Sequence, residues 1–442
     1  MITISKKIRF FWRFFSSFIK KHRRVFLSSL LLGFLSFLLI PHLFRLMTAK
    51  DLKTIGVNGR YTLAELPLEI QNLIGAGLTK YTADGNIEAD LAESWTINQD
   101  GREYVFKLKD NLVWQDGKQV LAKDIDYHFS DVKTTTPDNK TIIFELKEPF
   151  SPFPSILAKP ILKRGVIGTG EYRIKKVQRD QAAISRLFLF PENKKNLKLT
   201  FRFYPTEESL RTAFKLGEIS QIQEITDPKE FKNWNNTTIS PFIKYNRFIG
   251  LFFNSNDPGL ENKSTRQALA YAIRKQWQPR ALGPISPASW AFNPSLKPYD
   301  FDFDNARKLL KSEEGVEPLK EIELTTIPSL LNIAEEIKKD WENLGISCQV
   351  KTVNSLGESF QALLIAQEIP MDPDQYIFWH STQGLNLSGY KSPKIDKLLE
   401  EGRKTMDLEQ RKVIYQDFQK FLVEDTPVVF LFHPTVYSVT RN

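Results

Sequence analysis

The stretch Phe106–Phe129, "FKLKDNLVWQDGKQVLAKDIDYHF", decides the fold, because its pattern changes twice. Its first part continues a strand. Tyr104, Phe106 and Leu108 point one way, with Lys107 and Lys109 between them, as in a half-buried strand. Asp116-Gly117 then signals a turn. Asp124 is placed to open a helix over the apolar positions Ile125, Phe129 and Val132. Trp114, a large aromatic beside a tight turn, is expected to pack rather than to react. The stretch reads as scaffold: strand, turn, helix start.

Working outward, the chain has 442 residues, enough for two or three domains. Its formal charge is +9, which raises the question of a nucleic-acid partner. The charge is local, however. Ten of the 61 basic residues, and no acid, lie in residues 1–50, so the remaining 51 face 52 acids and the rest of the chain stands at −1. A nucleic-acid binder is therefore not expected.

The basic N-terminus has a membrane logic instead. Val25–Phe44, "VFLSSLLLGFLSFLLIPHLF", is a 20-residue stretch without a formal charge, and "KKHRR" precedes it. Roughly 20 apolar residues suffice to span a bilayer, and flanking cations stay on the cytoplasmic side. We expect a single-pass segment at 25–44, a basic cytoplasmic segment at 1–24, and the bulk of the chain outside the cell membrane. The exit "LFRLMTAKD" lacks an A-x-A-like cleavage site, since Met47 is large, so an uncleaved signal-anchor is expected. Cys348 is the only cysteine, which excludes an intramolecular disulfide, a cysteine-clustered metal site and a lipidated cysteine near the exit.

Strand-like stretches such as "EYVFKLK", "TIIFELK" and "LKLTFRFYP" dominate to about residue 205. A capped helix, "TEESLRTAFKLGE", follows, with Thr206 as cap and Gly217 as stop. "NRFIGLFFNS" reads as a buried strand. Ser264–Trp277 and Asp302–Gly315 read as helices, the first capped by Ser264. A strand "EIELTTI", a helix at "LLNIAEEIKKDWENLG" and a strand "SCQVKTV" suggest a βαβ unit. Two further helices and the apolar strand "PVVFLFHP" close the chain. The fold class is α/β and α+β in at least two lobes.

Catalytic motifs are missing. The five histidines form no HExxH-like pair, and there is no P-loop or G-x-S-x-G sequence. "VIGTGEY" lacks the third glycine of a dinucleotide loop and reads as a structural turn. Asp372 and Asp374 could be imagined as an acid–base pair, but a solvated loop around Pro373 is the plainer reading. A binding protein without cofactor or metal is expected, not an enzyme.

Ile87–Phe129 resembles the signature of the extracellular solute-binding proteins of family five, the oligopeptide-, dipeptide- and nickel-binding components of ABC importers. Leu91-Ala92-Glu93-Ser94-Trp95, Trp114, Asp116-Gly117, Ala122 and Asp124-Ile125 carry it. Further stretches follow in the family's order: Gly168–Tyr172, "FKLGEI", "LFFN" ending at Asn254, Arg266–Ile273, Ile285–Leu310 and Gly389–Arg403. The resemblance implies a periplasmic-binding-protein-like fold of two lobes joined by a hinge. A first lobe with a reduced extra domain would occupy 51–255, and a second lobe with a return to the first would occupy 256–442. It implies a monomer that captures a peptide by hinge closure and passes it to ABC permease subunits. Two rivals stay open: a surface or sensor protein on the same fold, and an extracellular hydrolase.

The resemblance also points to ligand contacts between Leu363 and Tyr390. Many peptide binders hold the peptide ammonium with the aspartate of a Trp-x-x-Asp motif. Here the register reads "LLIAQEIPMDPDQY", without that pair, and Glu368 is the adjacent acid. The candidate ligand-binding residues are Glu368, Asp372, Trp379, Asn386 and Tyr390. Asn386 reads equally as a turn residue, and Tyr390 and Trp379 equally as packed aromatics. Trp95 and Trp114 are assigned to the core, and Trp290 to core or cleft wall.

Overall fold

The computed structural model describes residues 15, 21–49, 52–311, 319–355, 357 and 359–442. Helix α1 (Arg23–Ala49) contains the uncharged N-terminal stretch, and its Leu27, Leu31, Leu32 and Phe37 are exposed. The side chains of Phe26 and of residues 38–49 lie outside the described set, and among the described residues no helix is long and apolar enough to cross a membrane.

Strand β1 (Leu52–Asn58) starts the folded body and leads through helix α2 (Leu68–Ile74) into a small domain. Its strands are β2 (Thr79–Tyr81), β3 (Ile87–Ala89), β4 (Ala92–Ile97), β5 (Glu103–Leu108), β6 (Lys133–Thr135) and β7 (Thr141–Glu145), closed by helix α3 (Phe153–Ile156). β2 and β3 form a ribbon, and β4-β5-β7-β6 a four-stranded sheet. Tyr104, Phe106 and Leu108 face its core as the alternation requires. Trp114 is buried beside them, whereas Trp95 is half-buried and stacks on Phe106.

No helix follows Asp124. Ala122–Asp124 form one 3-10 turn, in which the Asp124 carboxylate accepts the Leu121 amide at 3.2 Å. Tyr127 explains why the turn does not propagate. Its hydroxyl donates to Leu157 O at 2.6 Å and accepts the Leu78 amide at 3.0 Å, so it points inward two residues after buried Ile125. A helix would put those two residues on different faces. His128, at φ 57°, then turns the chain toward β6.

The chain re-enters the first sheet with β8 (Tyr172–Asp180), β9 (Ala183–Pro191), β10 (Lys198–Tyr204), helix α4 (Glu207–Lys215), β11 (Gln221–Ile225) and β12 (Thr237–Ile243). Thr206 caps α4 by accepting the Ser209 amide at 3.2 Å, and Gly217, at φ 74°, lies just past its end. The turn that opened the sequence reading reaches into this sheet through Gln115. Its side-chain amide donates to the carbonyls of Ile74, Gly170 and Tyr172, and its carbonyl accepts the Gly168 amide. A Cβ on Gly168 would stand 1.9 Å from Ile74 O, so "GTGEY" is a packing turn that only glycine permits.

The second lobe comprises β13 (Arg247–Phe253), α5 (Lys263–Ala272), α6 (Phe303–Lys311), β14 (Glu321–Thr326), α7 (Leu331–Asn343), β15 (Ser347–Thr352), β16 (Ala362–Glu368), α8 (Tyr376–Trp379), α9 (Pro393–Lys404), α10 (Leu408–Asp425) and β17 (Val428–Phe432). β18 (Thr435–Arg441) returns to the first sheet. The first sheet runs β12-β18-β11-β1-β10-β9-β8 and the second β15-β14-β16-β13-β17. β14 and β15 pair in parallel across α7, as the βαβ reading expects. β13 lies within the stretch 51–255 but pairs with β16 and β17 of the second sheet.

Helix α5 differs from its expectation at both ends. Its N-cap is Asn262, two residues before Ser264, and it stops at Ala272 instead of Trp277. The buried ammonium of Lys275 donates to Ala270 O and Tyr299 O, both at 2.5 Å, and so closes the helix end. Asp302 caps α6 through the Asn305 amide at 3.0 Å, while the expected end at Gly315 lies outside the described residues.

The chain crosses between the two sheets twice, at 244–246 and at 433–434. The crossings hold each other. The Lys244 amide donates to Pro434 O at 3.0 Å, and the His433 ring meets Tyr245 edge-on. His433 Nδ1 lies 2.8 Å from Arg247 O, which makes Nδ1–H the donor.

Candidate functional site

A cavity of about 530 Å³ lies where the C-terminal ends of β1 and β11 face the start of β13 and the end of β16, beside both crossings. Open α/β sheets offer ligand sites at the carboxyl ends of their strands because the loops diverge there. First-lobe walls are Asn58, Gly59, Tyr61, Glu69, Glu207 and Glu224. Lys244 and Asn246 come from the crossing, and Arg247 and Glu368 from the second lobe.

Charge is arranged across this space. Arg247 and Glu368 are register partners in β13 and β16, and their side chains pair at 2.5 Å. Glu224 receives Lys244 at 2.7 Å and Arg247 at 3.4 Å. Glu207 is turned toward Thr226 and Arg211. Glu69, exposed in the first turn of α2, has no ion-pair partner among the described residues. Burial, together with the Glu224 and Glu69 carboxylates, raises the Tyr61 hydroxyl above its usual range, so it remains a donor.

Of the sequence-derived candidates, Glu368 lines this cavity. Its side chain is 57% exposed. The other four make ion pairs, hydrogen bonds or packing contacts within the second lobe, and Asp372 also faces Tyr81 of the small domain. Asp372 makes a two-pronged ion pair with Arg411, at 2.6 and 3.1 Å, and both side chains are nearly enclosed. Burial pulls the Arg411 pKa down, but the Asp372 carboxylate outweighs it and leaves the guanidinium above its usual value. Trp379 is buried and stacks on Phe252 at 6.1 Å. Asn386 closes a turn by donating to Tyr390 O at 2.7 Å. The buried Tyr390 hydroxyl donates to Asp425. Asp374 is likewise bound, through both oxygens, to Arg403. His380 is buried and stacked on Tyr376, and Trp290 packs partly buried against the core with Arg411 over its ring.

The sequence reading missed Tyr61, Glu69, Glu224, Lys244 and Arg247. Only Arg247 carried a signal, as a lone cation opening a strand of buried apolar residues. The others meet because β1 and β11, paired in the first sheet, face the start of β13 in the second across the crossing at 244–246.

A second seam joins the small domain to the second lobe. Ser151 donates through its amide to Arg403 O at 2.7 Å and through its hydroxyl to Gly402 O at 3.1 Å. These are carbonyls of the last turn of α9, which an isolated helix leaves without partners. Arg403 lies over Tyr376 at 3.8 Å and over Phe150 at 5.5 Å.

The architecture agrees with that of known proteins. The model of the bacterial extracellular solute-binding proteins, family 5 Middle, matches residues 86–386. A probable D,D-dipeptide-binding periplasmic protein, DdpA of Escherichia coli, is 25% identical over 83% of each chain. The oligopeptide-binding protein AppA of Bacillus subtilis is 22% identical over 85% of this chain and 84% of its own. Among solved structures, the ABC transporter substrate-binding protein CtaP of Listeria monocytogenes superposes with a TM-score of 0.76 at 24% identity, over 88% of this chain and 94% of its own. NikZ of Campylobacter jejuni, solved with Ni(L-His), gives 0.74 at 23% identity, over 89% and 94%. The chain belongs to the bacterial extracellular solute-binding proteins of family 5.

Proposed function

We propose that this binding protein captures short peptides in the cavity between its lobes and hands them to an ABC permease, while Val25–Phe44 anchors it in the membrane. One observation carries the peptide reading. The cavity sets Glu69, a carboxylate without an ion-pair partner among the described residues, and the Glu224 and Glu368 carboxylates around Lys244 and Arg247. A zwitterionic chain fits this pattern: its ammonium meets Glu69 or Glu368, and its carboxylate meets Arg247 or Lys244. About 530 Å³ lies within the usual range for small ligands, which favours a few residues over a long peptide. The crossings at 244–246 and 433–434 serve as hinge, and Ser151 caps α9 when the lobes meet.

Calorimetry with free-amine peptides and their N-acetylated forms tests the reading. Losing the charge partner of a ligand ammonium that closure buries costs roughly 2 kcal/mol or more, about 30-fold in affinity. Glu69→Gln and Glu368→Gln together weaken free-amine peptides by at least that factor and acetylated ones far less. Equal losses for both forms would remove the ammonium from this cavity. Absence of binding by the unaltered protein would remove the peptide.

A further inference from the structure

The tether and the cavity lie at opposite ends of the first sheet, and the tether end is basic. β1 and β10 run parallel, with Leu52 beside Lys198. β8 runs the same way, since both it and β10 pair antiparallel to β9. The starts of all three strands, and the β9–β10 turn, therefore share one end of the sheet. Arg173, Lys175, Lys176, Lys194, Lys195 and Lys198 are all exposed there, against the acids Glu171 and Glu192. Arg173 pairs with Glu192, whereas Lys175, Lys176, Lys194 and Lys195 have no ion-pair partner among the described residues. Beyond residue 50 the chain has a net charge of −1, so this is a local concentration of positive charge. Protection of the edge strand β8 accounts for Lys175 and Lys176, but not for the three lysines on the turn and on β10, an interior strand. Leu52 and Leu197, 45% and 43% exposed, sit among these cations.

We infer that this end of the first lobe rests on the anionic surface of the membrane that holds the chain, with the cavity turned away from it. The inference rests on the anchor reading of Val25–Phe44. If the span ends at Phe44, eight residues reach Leu52, so β1 starts within about 28 Å of the surface even when the link is fully extended. Lysines around two exposed leucines match an anionic interface, where each cation near the surface adds attraction within a screening length. The cavity lies at the far end of β1, six residue steps or about 20 Å higher. An electrostatic contact also breaks readily, as delivery to a permease in the same membrane requires.

The test uses the full chain in nanodiscs of phosphatidylcholine alone or with phosphatidylglycerol, with fluorophores at Asn196→Cys and, separately, Asn58→Cys. Cys348 is buried and does not compete for the label. Nitroxide lipids quench the Asn196 probe in discs with phosphatidylglycerol but not the Asn58 probe. The quenching fades near 1 M salt, where the screening length is about 3 Å, and in the Lys194→Glu/Lys195→Glu variant. Equal quenching in both lipids, or none at Asn196 in a chain that co-elutes with discs, overturns the contact and leaves the anchor standing. A chain that does not co-elute with discs overturns the anchor, and the contact with it.

Discussion

Glu368 and Asp372 stand four residues apart and both engage an arginine, yet they do opposite work. Glu368 ends β16 at the cavity, more than half exposed, and meets Arg247 along a cross-strand register. Asp372 lies past the strand end, enclosed with Arg411, whose Nε also donates to Gly402 O. The first pair sits in high dielectric and can exchange partners with a ligand. The second has left water, and each partner depends on the other. Exposure, not residue type, separates a carboxylate open to a ligand from one locked in the interior.

The comparison breaks most visibly at Asp372. Asp372→Asn leaves the buried Arg411 charge without its counter-ion and costs about 3–5 kcal/mol of stability, read by chemical denaturation. Replacing Asp372 and Arg411 together by Leu and Met recovers much of that loss. A destabilisation below about 1 kcal/mol for the single variant would place Asp372 with the exposed acids. Ser151→Ala is the intermediate case. It removes one hydrogen bond of the seam and costs about 0.5–1.5 kcal/mol of the closed form, seen as an affinity loss of about 2- to 12-fold without any change in the cavity. Glu368→Gln changes stability in the absence of ligand by no more than about 1 kcal/mol, because its pair is solvated. A larger loss would show that the pair fixes the lobes.

Much of this was legible in sequence, for a physical reason. Periodicity, caps and turns are local, so Tyr104–Leu108, the Thr206 cap and the β14–α7–β15 unit read correctly. Where one distant contact overrules local pattern, the reading fails. Tyr127 held by Leu157 replaces the helix expected after Asp124, and Lys275 beneath Tyr299 ends α5 before Trp277. Of the charged residues lining the cavity, only Glu368 is singled out from the sequence. Tyr61 and Glu69 come from the loop after β1 and from α2, Glu224 from β11 and Arg247 from β13 of the other sheet, and no motif spacing connects them. Asp372, as an acid suited to an ammonium, and Asn386 and Tyr390, at positions the family resemblance points to, are candidate ligand contacts by sequence; in the structure Asp372 is paired with Arg411, Asn386 with the Tyr390 carbonyl and Tyr390 with Asp425.

His433 gives the smallest effect and the finest probe of the crossings. Its ring is buried between Tyr245 and the Arg247 carbonyl, and burial lowers its pKa below the usual 6.5, with the hydrogen bond to Arg247 O opposing part of the shift. In the window below 6.5 the unfolded chain binds the proton and the folded one does not. Stability therefore rises with pH there, and is lost as pH falls from about 6.5 toward the folded-state pKa. One such group contributes a slope of at most about 1.4 kcal/mol per pH unit. His433→Asn keeps a donor for the Arg247 carbonyl but cannot titrate, so it flattens the dependence between about pH 5.5 and 7, within about one unit of the usual value. Denaturation midpoints of the two proteins across that range decide the matter. Parallel pH profiles would show that His433 does not carry the acid sensitivity of the crossing.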